Sequence, residues 1–144
     1  MQHWIFQAIP ERYDLREHLN EGGSETWYAT RYISKMQPGD IVWFWLGGVP
    51  REERGIYAWG HLAGEAYIKK GWDSHGVDVY IDHVLPRPIV VDEFVSNKVL
   101  SKMLILRMAI GTNFVLTDAE AAELMKYCKK VLPPDTPLPT EPGE

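Results

Sequence analysis

Gln37-Pro38-Gly39-Asp40-Ile41-Val42-Trp43-Phe44-Trp45-Leu46-Gly47-Gly48 is the stretch whose reading decides the fold. A Pro-Gly turn launches it and paired glycines end it, so the apolar run between them has a strand's length rather than a helix's. Alternation along an extended chain puts Val42, Phe44 and Leu46 on one side and Trp43 and Trp45 on the other. Both sides are apolar, so both must be covered.

Working outward, Gly55 to Leu62 predicts a second strand, in which Ala58 and Gly60 suit a crowded barrel interior. Val77, Val79 and Ile81 alternate with Asp78, Tyr80 and Asp82, predicting a third, half-buried strand that ends before Pro86 and Pro88. These three strands form a meander. Upstream, His3 to Ile9 is rich in aromatic and β-branched residues and reads as a strand stopped by Pro10. A short helix follows, with Asp14 as its cap, Glu17 completing a capping box and Gly22 as terminator. Downstream, Asp92 to Leu106 carries a broken helical pattern interrupted near Ser96-Asn97, and Gly111-Thr112-Asn113-Phe114 reads as a turn. Thr117 and Glu120 form a capping box that opens a helix with Ala121, Leu124, Met125, Cys128 and Val131 on one face. Pro133-Pro134 stop it. The order predicts an α+β fold, a curved sheet or barrel of about five or six strands with flanking helices, rather than a βαβ fold. Residues 1–132 make the domain, and 133–144, rich in proline with little to bury, make a mobile tail.

At 144 residues, 45% of them hydrophobic, the chain has room for one ordinary domain. A formal net charge of −5 argues against gripping long nucleic acid through many phosphates, so any nucleic-acid contact must be local. The single cysteine, Cys128, excludes an internal disulfide. The start has no signal-peptide pattern and no apolar run approaches a bilayer span, which predicts a soluble, cytoplasmic protein without a membrane partner.

Catalysis finds little support in the residues. His3, His18, His61, His75 and His83 show no metal-ligand spacing, so no metal is expected. Cys128 falls on an apolar helix face, where an inert thiol is the ordinary case. Gly60 and Gly64 lack the lysine of a phosphate loop, and Asp40 and Glu65 are isolated acids. The chain reads as a binding module without cofactor rather than an enzyme. The aromatic run Ser24-Glu25-Thr26-Trp27-Tyr28-Ala29-Thr30-Arg31-Tyr32, preceded by Gly22-Gly23, reads as an irregular segment. Its mixture of rings and hydroxyls fits the wall of a site for a flat ring, or else Trp27 anchors the segment in the core. Trp45 faces that cavity or the core, and Trp72 is a lid or an exposed aromatic.

Several separated motifs, in order, resemble one family: Trp4 to Pro10, the Trp27 run, Met36 to Asp40 before a Phe-containing strand, Gly55 to Ala58, Val77 to Val79 with Leu85-Pro86, and Arg107 with Gly111 to Phe114. From about residue 3 to 131 the chain is similar to an EVE domain. The resemblance implies a PUA-like pseudo-barrel related to YTH domains, and a reader that takes a modified base, such as 5-methylcytosine, out of a nucleic-acid stack into an aromatic-walled pocket. It implies that Trp27 forms a wall and that Gly111 to Phe114 lies close by. The expected surround is Thr26, Thr30, Gln7, Trp45, Thr112, Asn113 and Phe114. Arg31, Lys35, Arg51 and Arg54 are the expected phosphate contacts. Partners would be single-stranded or base-flipped DNA or RNA, with an effector protein acting on what is read. The competing expectation is a small-molecule or carbohydrate-binding domain that uses the same aromatic pocket.

Overall fold

Strand β3 (Ile41–Leu46) separates two hydrophobic cores in the computed structural model, which describes residues 1–139. The other strands are β1 (His3–Ala8), β2 (Ser24–Ala29), β4 (Gly55–Leu62), β5 (Tyr67–Ile68), β6 (His75–Val90) and β7 (Asn113–Val115). They form one mixed sheet in the order β2-β6-β4-β3-β1-β7, with β5 added to β6. β1 and β3 pair in parallel and every other pairing is antiparallel. The parallel pair arises because the chain crosses to the far edge as β2 before returning beside β1 as β3. The sheet curls into a half-barrel, and β3, β4 and β6 form the expected meander.

Val42, Phe44 and Leu46 point into the barrel with Trp4, Phe6, Trp27, Ala58 and Val77. Trp43 and Trp45 lie on the opposite face, with Ile5, Ile56 and Phe114, beneath α2 (Val91–Val95), α3 (Leu104–Arg107) and α4 (Asp118–Val131). The pleat alone assigns these sides. Gly60 is required because a Cβ there would overlap the Tyr80 carbonyl oxygen of the neighbouring strand. Helix α4 starts where the capping box predicts, with Glu120 N–H donating to Thr117 Oγ1 and Thr117 N–H to the Glu120 carboxylate, both at 3.0 Å.

Several sequence expectations need correction. The sheet has seven strands among the described residues rather than five or six, because β5 and β7 are too short to show alternation. The run around Trp27 is a regular strand, and Asn113 and Phe114 belong to β7 rather than to a turn. β6 continues through Pro86 and Pro88, since its ladder to β4 jumps from Val84 opposite Ala58 to Ile89 opposite Ile56. The two prolines sit in that bulge, where no ladder donor is needed. Helix α1 is only Leu15–His18, capped by Asp14, because Leu19 is already extended. The pattern from 92 to 106, by contrast, breaks where the sequence reading placed the interruption, because the Asn97 side chain accepts from the Val99 and Leu100 amides and closes a local turn.

Part of the proline-rich segment has something to bury after all. Trp59 Nε1–H donates to the Pro137 carbonyl at 3.0 Å, Leu138 packs against the outer core and Pro139 is buried. The rest of the expected tail, 140–144, lies outside the described residues. No helix among the described residues is long and apolar enough to cross a membrane.

Candidate functional site

Period two along β2 sends Trp27 inward, opposite Val77, while Thr26 and Tyr28 face outward. Trp27 is 6% exposed, with ring centroids of Phe44 at 5.3 Å, Tyr13 at 5.4 Å and Phe6 at 6.2 Å. The indole is therefore a wall of the barrel interior rather than an open platform on a loop. Two of its three aromatic neighbours belong to strands and cannot move independently of the sheet. The third, Tyr13, comes from the connection between β1 and α1, meets Trp27 edge-on and is itself half-buried. Its other face stacks on His18 at 4.5 Å, which is exposed. The Tyr13 hydroxyl is buried without a hydrogen-bond partner of ordinary geometry. Burial, and then the nearby Glu25 carboxylate, push its pKa well above the ordinary tyrosine value.

Gln7 and Asn113, expected to address a ligand, are braces of the fold, and Gln7 lies in register with Trp45 on the face of β1 away from Trp27. Gln7 Nε2 donates to the Ala109 carbonyl at 3.0 Å and the Gly111 carbonyl at 2.7 Å, and its backbone N–H to the Thr112 carbonyl at 2.8 Å. Both amide protons are used, so Gln7 keeps only its oxygen. That oxygen abuts Gly47, where a Cβ would overlap it. Asn113, fully buried, bridges the two ends of the sheet. Its Nδ2 donates to the Tyr28 carbonyl at 3.0 Å, and its Oδ1 accepts from the Thr30 amide at 2.8 Å and the Thr30 hydroxyl at 3.4 Å. β2 and β7 are the terminal strands, so this one side chain supplies the closure that a backbone ladder would otherwise provide.

The remaining expected residues divide between surfaces. Thr26 is on the outer face, donating to Asp78 Oδ1 at 2.8 Å, and so does not line the space beside Trp27. Trp45 and Phe114 lie in the other core, Trp45 stacked on Phe94 at 5.7 Å, so neither shares a cavity with Trp27. Of the basic residues, Arg51 pairs with Asp92, and Arg54 is half-buried and donates to the Val49 carbonyl at 3.0 Å. Arg31 and Lys35 remain exposed just beyond β2. Trp72 packs on Tyr28 at 4.3 Å, on the opposite side of β2 from Trp27, and so is no lid over that ring. A separate open cavity of about 360 Å³ lies between Trp4, Tyr32, Lys35 and the Thr117-Asp118 start of α4. The Trp4 N–H is already committed to the buried Asp40 carboxylate at 3.1 Å.

The family model for the EVE domain matches residues 2–127. The chain belongs to the EVE domain family. Solved structures of the same shape include a hypothetical protein from Leishmania major, with a TM-score of 0.72 and 17% identity over 90% of this chain and 96% of that one. Rpa0253 from Rhodopseudomonas palustris gives a TM-score of 0.73 and 17% identity over 94% and 99%. The human THYN1 protein, solved in complex with 5-methylcytosine-containing DNA, gives 0.69 and 17% identity over 88% and 97%. No curated protein matches the chain in sequence.

In this EVE domain the sequence reading missed Tyr13, whose edge-on contact with Trp27 depends on the path of the connection between β1 and α1. It also missed two histidine–carboxylate pairs, His61 with Asp82 at 2.6 Å and His83 with Glu21 at 3.3 Å. Neither pairing has a sequence spacing that signals it, because each is set by registration across strands or by the loop before β2. The Cys128 thiol is buried in the outer core, which pushes its pKa up to about 12, with the Glu93 carboxylate adding to the effect of burial. That environment leaves the thiol without nucleophilic character.

Proposed function

We propose that this EVE domain is a non-catalytic reader that takes a modified base of DNA or RNA against Trp27, and that Tyr13 occupies the mouth of that site when it is empty. The observation that carries the reading is the asymmetry of the aromatic cluster: Trp27 is enclosed by two strand-borne rings and one ring carried on a loop. Displacement of the loop-borne ring opens the indole without disturbing the sheet. Membership of the family and the methylcytosine-DNA complex of a protein with the same fold support the ligand class. Stacking a base on an aromatic ring contributes about 1–3 kcal/mol and needs no strongly basic surface, in keeping with the chain's net charge of −5. A methyl group filling an apolar gap adds about 0.8 kcal/mol, roughly a four-fold preference over the bare base. Unpaired or flipped bases are favoured because extrusion from a duplex costs a few kcal/mol. A reader alone changes nothing chemically, so an effector protein completes the role.

Titration of short single strands bearing different modified cytosines and adenines, followed by tryptophan fluorescence, tests the reading. Saturable binding to at least one modified strand, tightened by Tyr13→Ala because the cover no longer competes, is the expected result. Trp27→Phe should weaken it while preserving most of the core packing that Trp27→Ala would destroy. The absence of saturable binding to any modified strand, or indifference to both substitutions, refutes it. The open cavity beside Trp4 and Tyr32 favours a second reading, a small-molecule site, which free ligand binding insensitive to salt and to Tyr13→Ala would support.

A further inference from the structure

The outer face of β2, β6 and β5 carries a group of rings that neither the core nor the Trp27 site uses. Gly76 sits in one row between Tyr28 of β2 and Tyr67 of β5. Trp72, from the turn joining β5 to β6, lies across that glycine, where a Cβ would stand 3.4 Å from its ring and 3.1 Å from the Thr26 methyl. The absent side chain lets the indole lie low over the sheet and meet Tyr28 at 4.3 Å with an interplanar angle of 33°. Tyr28 is 40% exposed, Tyr67 37%, and Tyr80 42%. Packing within the domain leaves all three accessible. The Tyr67 hydroxyl and the Thr26 hydroxyl both donate to Asp78 at 2.8 Å, which fixes the face and engages its carboxylate.

Charge gathers at one end of this face. Ala29, His75 and Ile68 are aligned across the three strands, so the residues just past them lie at the same end of the sheet: Arg31 after β2, and Lys69 and Lys70 after β5. Lys69 Nζ stands 5.6 Å from the Trp72 ring centroid. None of the three cations forms an ion pair among the described residues. In a chain of net charge −5, these three cations, with the exposed Asp73 as the acid in the same turn as Lys69 and Lys70, stand beside a row of partly exposed rings. Flat rings with accessible faces suit unpaired bases, and adjacent cations suit the phosphates that link them.

We propose that this outer face is a track for single-stranded nucleic acid, with Trp72 and Tyr28 stacking bases and Lys69, Lys70 and Arg31 contacting phosphates. The proposal rests on the reader assignment and extends it: Trp27 and Tyr28 are successive residues of β2, so one strand of the barrel presents the reading ring inward and the track outward.

Fluorescence anisotropy with an unmodified, end-labelled 20-nucleotide oligothymidylate tests the track, and titration with free modified nucleosides tests the Trp27 site independently. Trp72→Ala should weaken oligothymidylate binding by about 5- to 160-fold, the effect of losing one stacked base, and leave nucleoside binding unchanged. The double variant Lys69→Ala/Lys70→Ala, which removes no ring, should lower the slope of log affinity against log salt by roughly 1.4. Circular dichroism and thermal unfolding establish that each variant is folded. Oligothymidylate affinity unchanged in both variants, or no binding of it by the unaltered protein, overturns the proposal. A dimer in sedimentation that Trp72→Ala dissolves overturns it in favour of a contact between copies of the chain. Nucleoside binding that fails while the Trp72 effect persists removes the Trp27 reading and leaves the track standing.

Discussion

Removing the Asn113 side chain should open the barrel at its seam. Asn113→Ala deletes one donor and one acceptor that join β7 to β2, leaving the Tyr28 carbonyl and the Thr30 amide, whose residues are partly open to solvent, without their bonds to this fully buried side chain. A buried backbone group left without a partner costs about 1–3 kcal/mol, and partial access to water keeps both groups toward the low end, so the pair predicts a loss of about 2–4 kcal/mol. That is a large share of the 5–15 kcal/mol typical of a domain. With a urea m-value of about 2 kcal/mol/M, the unfolding midpoint should fall by about 1–2 M. Thr30→Ala is the control. It removes only the long 3.4 Å hydroxyl contact and leaves the backbone bond intact, so the loss should stay within about 0.5 kcal/mol. Asn113→Asp adds a second constraint. It keeps the acceptor for Thr30 but directs a carboxylate oxygen at the Tyr28 carbonyl, so burial should raise its pKa and make the variant more stable in mild acid than at neutral pH. A loss below about 1 kcal/mol for Asn113→Ala would refute the reasoning, since the seam would then be held by other contacts.

Other expectations follow from single features. Gly60→Ala should destabilise by more than the ordinary cost of a strand substitution, because the added methyl overlaps the Tyr80 carbonyl and must force β4 from β6; an unchanged urea midpoint would contradict this. Cys128 should resist thiol reagents at pH 8 in the folded protein and react only on unfolding, as its pKa is pushed up to about 12; labelling as fast as that of a free thiol would show an open core. Tyr13 and Tyr127 both have raised pKa values, the latter to about 12, through burial and then neighbouring carboxylates. The folded state holds those protons longer than the unfolded chain, so stability should be level to about pH 9 and fall as pH rises past 10; Tyr13→Phe and Tyr127→Phe should each flatten that decline in alkaline denaturation. Trp59→Phe should release the segment around Pro137, read as faster proteolysis after residue 132, since the indole N–H is its hydrogen-bond anchor.

What the sequence determined by itself was whatever depends on neighbours along the chain. The alternation of Ile41–Leu46 divided Val42, Phe44 and Leu46 from Trp43 and Trp45, and the two cores divide there. The capping box at Thr117 and Glu120 set the start of α4 because both partners lie within one turn. The series of separated motifs carried the family, and with it the half-barrel. Tertiary structure decided the rest. Trp27 is inward because β2 pairs with β6 in a register that aligns it with Val77, and nothing in residues 24–32 specifies that pairing. Gln7 and Asn113 are braces rather than free polar groups because loops and edge strands distant in sequence arrive beside them. Tyr13 meets Trp27, and Trp72 lies on Tyr28, through loop paths that no periodicity encodes. The physical reason is range: propensity, pleat and capping act over a few residues, whereas the closure of a barrel brings together groups whose complementarity exists only once the sheet has curled.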